Sequence, residues 1–304
     1  MSYLNLIVTF STLTLFVALF TGCGENESPA LSDVPHIELA KVEFVEVGDF
    51  ADPDSLILSI NFTDGDANLG LTSRLDSPFH YSNFFLEDDL PSLTKLASFT
   101  DDYYFTTTVK AHAQPGKLVT VRTRNEPGME FLPVFEPNAC LFSISFPYQR
   151  TTIYISEDDK HIIDPTYNIT DTLRGPSHPD MYVVDDTFYV EHNPFVFNIE
   201  VDFLVADQDG NFTEFDWTPY NCISYDGRFP EIKTLGPGHN LVLGPFRISG
   251  LNDRSGAIRY AMASVGFRQL FEDKILKLRV KIRDRDLNDS NVLETPPFTL
   301  DDIN

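Results

Sequence analysis

Apolar and polar residues alternate along several stretches of the chain, with the period of two that is typical of β-strands. The clearest stretch runs from Ile275 to Arg283, where leucine, valine and isoleucine alternate with lysine and arginine. Residues Phe197 to Val205 and Ile258 to Met262 alternate in the same way, and Leu56 to Phe62 is a nearly continuous apolar run. These patterns predict strands, and the alternating ones are predicted to have one buried face.

Few stretches of the chain show the 3.6-residue period of a helix, and these stretches are short. Only Leu90–Leu96 and Ser264–Asp273 fit a helix, and each allows a short one. Twenty prolines and many turn-forming residues separate the predicted strands. We therefore predict an all-β chain that forms an antiparallel, immunoglobulin-like β-sandwich. It is built either as two packed β domains or as one sandwich with a large insertion.

Changes in composition along the chain indicate four regions. Residues 1–22 are a predicted lipoprotein signal peptide, and residues 23–35, which are polar and contain prolines, are a predicted flexible tether. Residues 36–145 form a predicted N-terminal β domain, and residues 146–304 form a predicted C-terminal immunoglobulin-like β domain. The boundary between them is placed where prolines begin to interrupt the strand pattern.

The chain begins with an apolar run, Leu4 to Phe20, which is followed by small residues and Cys23. This order is typical of a bacterial lipoprotein signal, in which the leader is removed and the cysteine becomes the lipidated first residue. No basic residue precedes the run, and no basic cluster follows it. The alternatives are a retained N-terminal helix and a cleaved signal in which Cys23 has no role. We predict lipidation at Cys23, which anchors the protein to the outer membrane on its periplasmic or cell-surface face.

The formal net charge of the chain is −24. Such an acidic surface repels nucleic acid and anionic lipid headgroups, so we expect no nucleic-acid partner. The same surface suits divalent cations, basic partners and neutral ligands.

Two cysteines follow Cys23, and they are Cys140 and Cys222. Export to an oxidising compartment makes a disulfide between them available. We predict this disulfide, and the alternative is a pair of unpaired buried thiols.

One short pattern, Asp-x-Asp-x-Asn, occurs three times, and each time it follows a predicted strand. Side-chain oxygens at alternate positions of a turn can converge on one hard cation, and calcium takes six to eight oxygen ligands. The alternative is that these residues only form β-turns, in which aspartate and asparagine are common. None of the three continues as an EF-hand, which needs glycine at its sixth position and glutamate at its twelfth. The candidate calcium ligands are Asp64, Asp66 and Asn68; Asp207, Asp209 and Asn211; and Asp284, Asp286 and Asn288.

Two longer motifs carry a family resemblance. The first is Asp64-Gly65-Asp66 followed by Leu69-Gly70-Leu71, and the second runs from Asp284-Arg285 through Leu287-Asn288 to Ser290-Asn291. With the segments 214–217, 226–230 and 294–298, these motifs resemble a group of uncharacterised outer-membrane lipoproteins of Bacteroidetes-type bacteria. The resemblance implies an outer-membrane lipoprotein with an immunoglobulin-like β-sandwich component.

Together these features predict a lipid-anchored binding or assembly module of the outer membrane, whose partner is an outer-membrane protein complex. One alternative is a surface glycan-active hydrolase with paired carboxylates, in which Trp217 stacks on a sugar. The other is a structural spacer that is stiffened by calcium. We assign no catalytic residue, because the seven histidines occur singly and the chain has neither a nucleophile-elbow motif nor a phosphate-binding glycine loop.

Overall fold

A computed structural model describes residues 31–47, 53–71, 78–80, 82–87, 92–101, 106–135, 147–166, 169–175, 178–220, 224–232, 240–252, 254–264 and 266–304. The chain divides into two compact units, Met1–Ser32 and Asp33–Asn304. All the elements below belong to the second unit.

The described part of the second unit contains fifteen strands and one short α-helix, with 3₁₀ turns between them. The first five strands are β1 (His36–Val45), β2 (Asp54–Thr63), β3 (Ser82–Glu87), β4 (Leu93–Asp101) and β5 (Thr106–Val109). The next five are β6 (Tyr148–Ser156), β7 (Ile169–Gly175), β8 (His178–His192), β9 (Ile199–Ala206) and β10 (Phe212–Glu214). The last elements are β11 (Asn240–Leu243), β12 (Phe246–Asn252), β13 (Ser255–Ser264), α1 (Phe267–Phe271), β14 (Leu276–Ile282) and β15 (Leu293–Glu294).

Two antiparallel sheets form a sandwich. One has the strand order β1-β2-β13-β12-β11, and the other has the order β10-β9-β14-β15. Apolar side chains from both sheets make up a single core, which includes Leu58 and Ile60 of β2, Phe203 of β9, and Leu278 and Val280 of β14. Strand β14 buries every second residue, as the alternation in the sequence predicts.

The remaining six strands form a second assembly with its own core. Their order is β3-β4-β5-β6-β8-β7, and β3 also pairs with β8, so that five strands close into a ring. All the pairings are antiparallel except that between β5 and β6. The core of this inserted ring includes Leu86, Val109, Ile153, Ile155 and Phe188.

The structure confirms the all-β, antiparallel prediction. Its strands are arranged as one sandwich with a large insertion, because the ring lies between β2 and β9 in the chain. Each assembly contains strands from before and after residue 145, since β2 pairs with β13 in the sandwich and β5 pairs with β6 in the ring. A boundary at residue 145 therefore does not divide the sandwich core from the ring core.

The two predicted short helices have opposite outcomes. Residues Phe267–Phe271 form α1, within the predicted segment Ser264–Asp273. The prediction for Leu90–Leu96 is wrong where the structure describes it, because residues 93–96 belong to β4 and pair with β3. Strand pairing overrides a weak helical preference.

Candidate metal centre

The three Asp-x-Asp-x-Asn segments fold into the same type of turn. In each, the backbone N–H of the asparagine donates a hydrogen bond to the carboxylate of the first aspartate, which is the usual behaviour of aspartate in a turn. The residue before the asparagine has a positive φ in all three. The bonds are Asn68 to Asp64 (2.9 Å), Asn211 to Asp207 (2.8 Å) and Asn288 to Asp284 (2.7 Å), and the positive angles are 60° at Ala67, 83° at Gly210 and 68° at Leu287.

Two of these turns lie against each other. The first follows β2 in one sheet, and the third follows β14 in the opposite sheet. An antiparallel bridge joins Leu69 to Asp284, and the Arg285 backbone N–H donates to the Asn68 carbonyl oxygen over 3.3 Å. The Asn68 side-chain Nδ2 donates to Asp286 Oδ2 over 3.1 Å, across 218 positions of sequence. We call residues 64–68 and 284–288 the paired turns.

Three carboxylates converge where the paired turns meet. One oxygen from each of Asp64, Asp66 and Asp284 lies within 4.8 Å of the others. Asp64 and Asp284 are both 0% exposed, whereas Asp66 is exposed to solvent. Buried carboxylates at this spacing repel each other strongly when both are charged, unless a proton or a cation lies between them.

The hydrogen bonds of Asp64 leave one oxygen without a donor. Its Oδ2 accepts from the backbone N–H groups of Asn68 and Leu69, over 2.9 Å and 3.2 Å. Its Oδ1 is buried and has no hydrogen-bond partner among the residues that the structure describes, and the same is true of the Asn68 Oδ1. Since buried oxygens are normally paired, these two are positions where a further group can bind.

Burial raises the pKa of Asp64 to about 7, and the nearby Asp66 carboxylate and the charge of Asp284 act in the same direction. The Asn68 backbone N–H lowers this pKa by a smaller amount. Near neutral pH the Asp64 carboxyl therefore exchanges between a protonated form and a charged form that is ready to bind a cation.

These donors fit calcium. They are all oxygens, which hard divalent cations prefer to nitrogen and sulfur. The residues that would hold the ion are Asp64, Asp66 and Asp284, with the Asn68 Oδ1 beside them. The predicted ligand Asp286 does not belong to this group, and its Oδ2 accepts a hydrogen bond from Asn68 Nδ2. The predicted ligand Asn288 instead orients Asp284, because its backbone N–H and its Nδ2 donate to the two carboxylate oxygens over 2.7 Å and 2.9 Å.

The middle segment, residues 207–211, forms an isolated turn. Asp207 and Asp209 are exposed, as is Asn211. Asp207 Oδ1 accepts from the backbone N–H groups of Asp209 and Asn211, and Oδ2 accepts from Asn211 Nδ2 over 3.2 Å. These hydrogen bonds lower the pKa of the Asp207 carboxyl. Within the described ranges, the group of acidic residues at metal-binding distance consists of Asp64, Asp66 and Asp284, so the predicted ligands of the middle turn do not join it.

The sequence did not reveal a second group of carboxylates, which lies where the ring returns to the sandwich. A cleft of about 220 Å³ is lined by His192, Asn193, Pro194, Phe197, Glu200, Asp202 and Asp226. Burial raises the pKa of Asp202 and of Asp226, and it lowers the pKa of His192. The alternating charges of β9 and β14 were visible in the sequence, but their register was not.

The carboxylates of this cleft are already satisfied. Glu200 lies 2.9 Å from Lys281 Nζ and 3.1 Å from Arg283 Nη2, and Asp202 lies 3.7 Å from Arg279 Nη1. Asp226 accepts hydrogen bonds from the Val201 backbone N–H and from the Ser224 hydroxyl. The cleft therefore lacks the unsatisfied oxygens that mark the paired turns.

Trp217 lies in aromatic packing at the edge of the sandwich core. Its ring contacts Phe203, Phe215, Tyr225 and Phe271, at centroid distances between 4.7 Å and 5.8 Å. It is absent from the residues that line the carboxylate cleft. A sugar-binding groove would instead leave the face of this ring open beside a carboxylate pair.

Several predictions concern residues outside the described ranges. They include lipidation of Cys23 and the disulfide between Cys140 and Cys222. In the part of the chain that the structure describes, no helix has the length and hydropathy that are needed to cross a membrane.

Comparison with known proteins finds no matching family model, no matching curated protein and no matching solved structure. The immunoglobulin-like assignment and the resemblance to envelope lipoproteins therefore stay predictions from the sequence.

Proposed function

We propose that this protein is a calcium-binding β-sandwich module with a structural role, in which one ion joins the two sheets at the paired turns. The observation that supports it best is the Asp64 carboxylate, which is fully buried, close to Asp66 and Asp284, and has one oxygen without a partner. A bound calcium ion satisfies this oxygen and cancels the repulsion between the carboxylates.

The arrangement favours a structural role over a catalytic one. Two of the carboxylates are buried from solvent, and an isolated β-bridge between Leu69 and Asp284 links the backbones of the paired turns. A catalytic metal needs an open coordination position that a substrate can reach. The packing of Trp217 against four aromatic rings, away from the carboxylate cleft, also favours the structural role over the hydrolase alternative.

We also propose that the module acts in the cell envelope as a lipid-anchored binding or assembly component. The supporting observations are the apolar run Leu4 to Phe20, the cysteine at position 23 and the acidic chain. Substitution of Cys23→Ser should abolish incorporation of radiolabelled fatty acid and release the protein from envelope membranes. A native chain that retains Met1 and carries no lipid would refute the anchor.

Calcium titration of the purified protein tests the metal site. We expect saturating calcium, at about 1,000 times the dissociation constant, to stabilise the protein by about 4 kcal/mol and raise its melting temperature by roughly 10 °C. Asp284→Asn should weaken calcium binding by about 100-fold, because it removes a buried charged ligand.

The matched control is Asp207→Asn, which makes the same change in the isolated turn. Its calcium affinity should equal that of the unsubstituted protein. Calorimetry that detects no calcium binding, or an equal loss of affinity in the two variants, would refute the site.

A further inference from the structure

The paired turns lie at the place where the chain leaves the sandwich for the inserted ring. Strand β2 ends at Thr63, the first turn follows, and residues 69–71 then run beside residues 229–232. The Leu71 N–H donates to the Phe229 carbonyl oxygen, and the Glu231 N–H donates to the Leu71 carbonyl oxygen, each at a distance of 3.0 Å. We call residues 69–71 and 229–232, together with the two segments where the chain enters and leaves the ring, the junction.

The turn after β14 holds the same segment from its other side. Arg285 Nη1 lies 3.4 Å from the Gly70 carbonyl oxygen and 3.1 Å from Glu231 Oε1. The backbones approach so closely that a Cβ atom on Gly70 would lie 2.2 Å from the Pro230 carbonyl oxygen. The Asp284 turn thus contacts residues 69–71 through the Leu69–Asp284 bridge and through Arg285.

The neighbouring residues tie both ends of the ring to the sandwich. Arg228 Nη1 donates to the carbonyl oxygens of Phe79 and Val196, each at a distance of 2.8 Å. Phe79 lies where the chain enters the ring, and Val196 lies where it leaves the ring. Asn193 Nδ2 also links the two ends, since it donates to the carbonyl oxygens of Pro78 and His80. A continuous set of hydrogen bonds thus runs from the paired turns to both chain ends of the ring.

We propose that calcium at the paired turns controls how firmly the inserted ring is attached to the sandwich. This inference rests on the proposed function, and it adds a regulatory consequence of the same ion. Without the ion, the charged carboxylates of Asp64 and Asp284 repel each other, and the repulsion acts on the segment that continues into residues 69–71. With the ion bound, the two turns are held together and the junction closes.

Hydrogen–deuterium exchange of the full-length protein tests this proposal, with calcium and with a chelator at about pH 8. We expect chelation to raise the exchange rates of the Leu71, Glu231 and Ile232 amides by about 10-fold or more. The amides of β6 and β8, inside the ring, should keep their rates.

The variant Asp64→Asn separates repulsion from general destabilisation. It removes one charge but keeps the shape of the side chain. The junction amides of this variant should therefore exchange slowly even without calcium, and their exchange rates should not change when calcium is added. Asp207→Asn is the matched control, and its junction should respond as the unsubstituted protein does.

The failures of the two proposals differ. Calcium binding that is detected by calorimetry, with junction exchange unchanged by chelation, overturns this inference and leaves the proposed function standing. Absence of calcium binding overturns both.

Discussion

The paired turns and the isolated turn at residues 207–211 have the same pattern of residues and the same backbone geometry, yet they differ in chemistry. In the isolated turn both oxygens of Asp207 accept hydrogen bonds from within the turn, and all three pattern residues are exposed. In the paired turns Asp64 and Asp284 are buried, and one oxygen of Asp64 has no donor.

The local pattern produces a turn, and a second turn packed against it changes how the turn's donors are used. In the isolated turn, Asn211 Nδ2 donates to the first aspartate, Asp207. In the first of the paired turns, Asn68 Nδ2 donates instead to Asp66 and to Asp286, and carboxylates gather where the two turns meet. The proposed cation site rests on this juxtaposition.

The largest expected effect that distinguishes the two kinds of turn is on the pH dependence of stability. The folded-state pKa of Asp64 is about 7, compared with an ordinary value of 3.8. Between these values the folded protein keeps a proton that the unfolded chain has lost, so the free energy of unfolding of the metal-free protein falls as the pH rises from about 4 to about 7. The fall due to this group is at most about 4 kcal/mol.

Urea unfolding in chelator across this pH range measures the fall. Asp64→Asn should remove it, whereas Asp207→Asn should leave it in place. The same slope in the unsubstituted protein and in Asp64→Asn would show that the Asp64 carboxyl is not the group that titrates.

A smaller effect is expected from the asparagine that ends each turn. Asn288→Ala removes the Nδ2 donor that orients Asp284, and we expect calcium affinity to fall by about 10-fold, or about 1.4 kcal/mol. Asn211→Ala makes the same change in the isolated turn and should leave calcium affinity unchanged. Isothermal titration of both variants checks this, and equal affinities for the two would contradict a positioning role for Asn288.

The smallest expected effect concerns the residue with positive φ. Ala67 has a φ of 60° and Gly210 has one of 83°, and an alanine in this region costs about 1 kcal/mol relative to glycine. Ala67→Gly should therefore stabilise the protein by roughly 0.5–1 kcal/mol, and Gly210→Ala should destabilise it by a similar amount. A Cβ atom at Gly210 meets no atom within 4 Å, so only the backbone strain contributes there. Thermal unfolding of the two variants gives the sign, and effects of the same sign would contradict this reasoning.

Much of the fold could be predicted from local patterns. The alternation from Ile275 to Arg283 predicted β14, and the apolar run of residues 56–62 predicted β2, which is paired on both edges. The pairing partners could not be predicted in this way, because β2 pairs with β13 across a stretch of chain that contains the whole inserted ring. The short helix expected at Leu90–Leu96 failed for the same reason, since residues 93–96 pair with β3.

The candidate site was predicted in composition but not in arrangement. Asp64, Asp66 and Asp284 were among the expected ligands, as were Asp207 and Asp209. The sequence contained no signal that selects two turns out of three, because all three follow a strand and contain the same residue types. The sequence showed Arg285 only as a basic residue beside acidic ones. Its hydrogen bonds to Gly70 and Glu231 could not be predicted, because they depend on the packing of the two sheets.

The sequence by itself determined β2, β9, β13 and β14 and the places where tight Asp–Asn turns form, because these depend on side-chain periodicity and on hydrogen bonds a few residues apart. It also determined the acidic character of the chain. Only the tertiary structure decided which carboxylates lose their water and face each other. Strands β2 and β14 belong to opposite sheets of the sandwich and are joined only through distant parts of the chain. Packing of the sheets brings one carboxylate oxygen from each of Asp64, Asp66 and Asp284 within 4.8 Å of the others, and the proposed cation site depends on this packing.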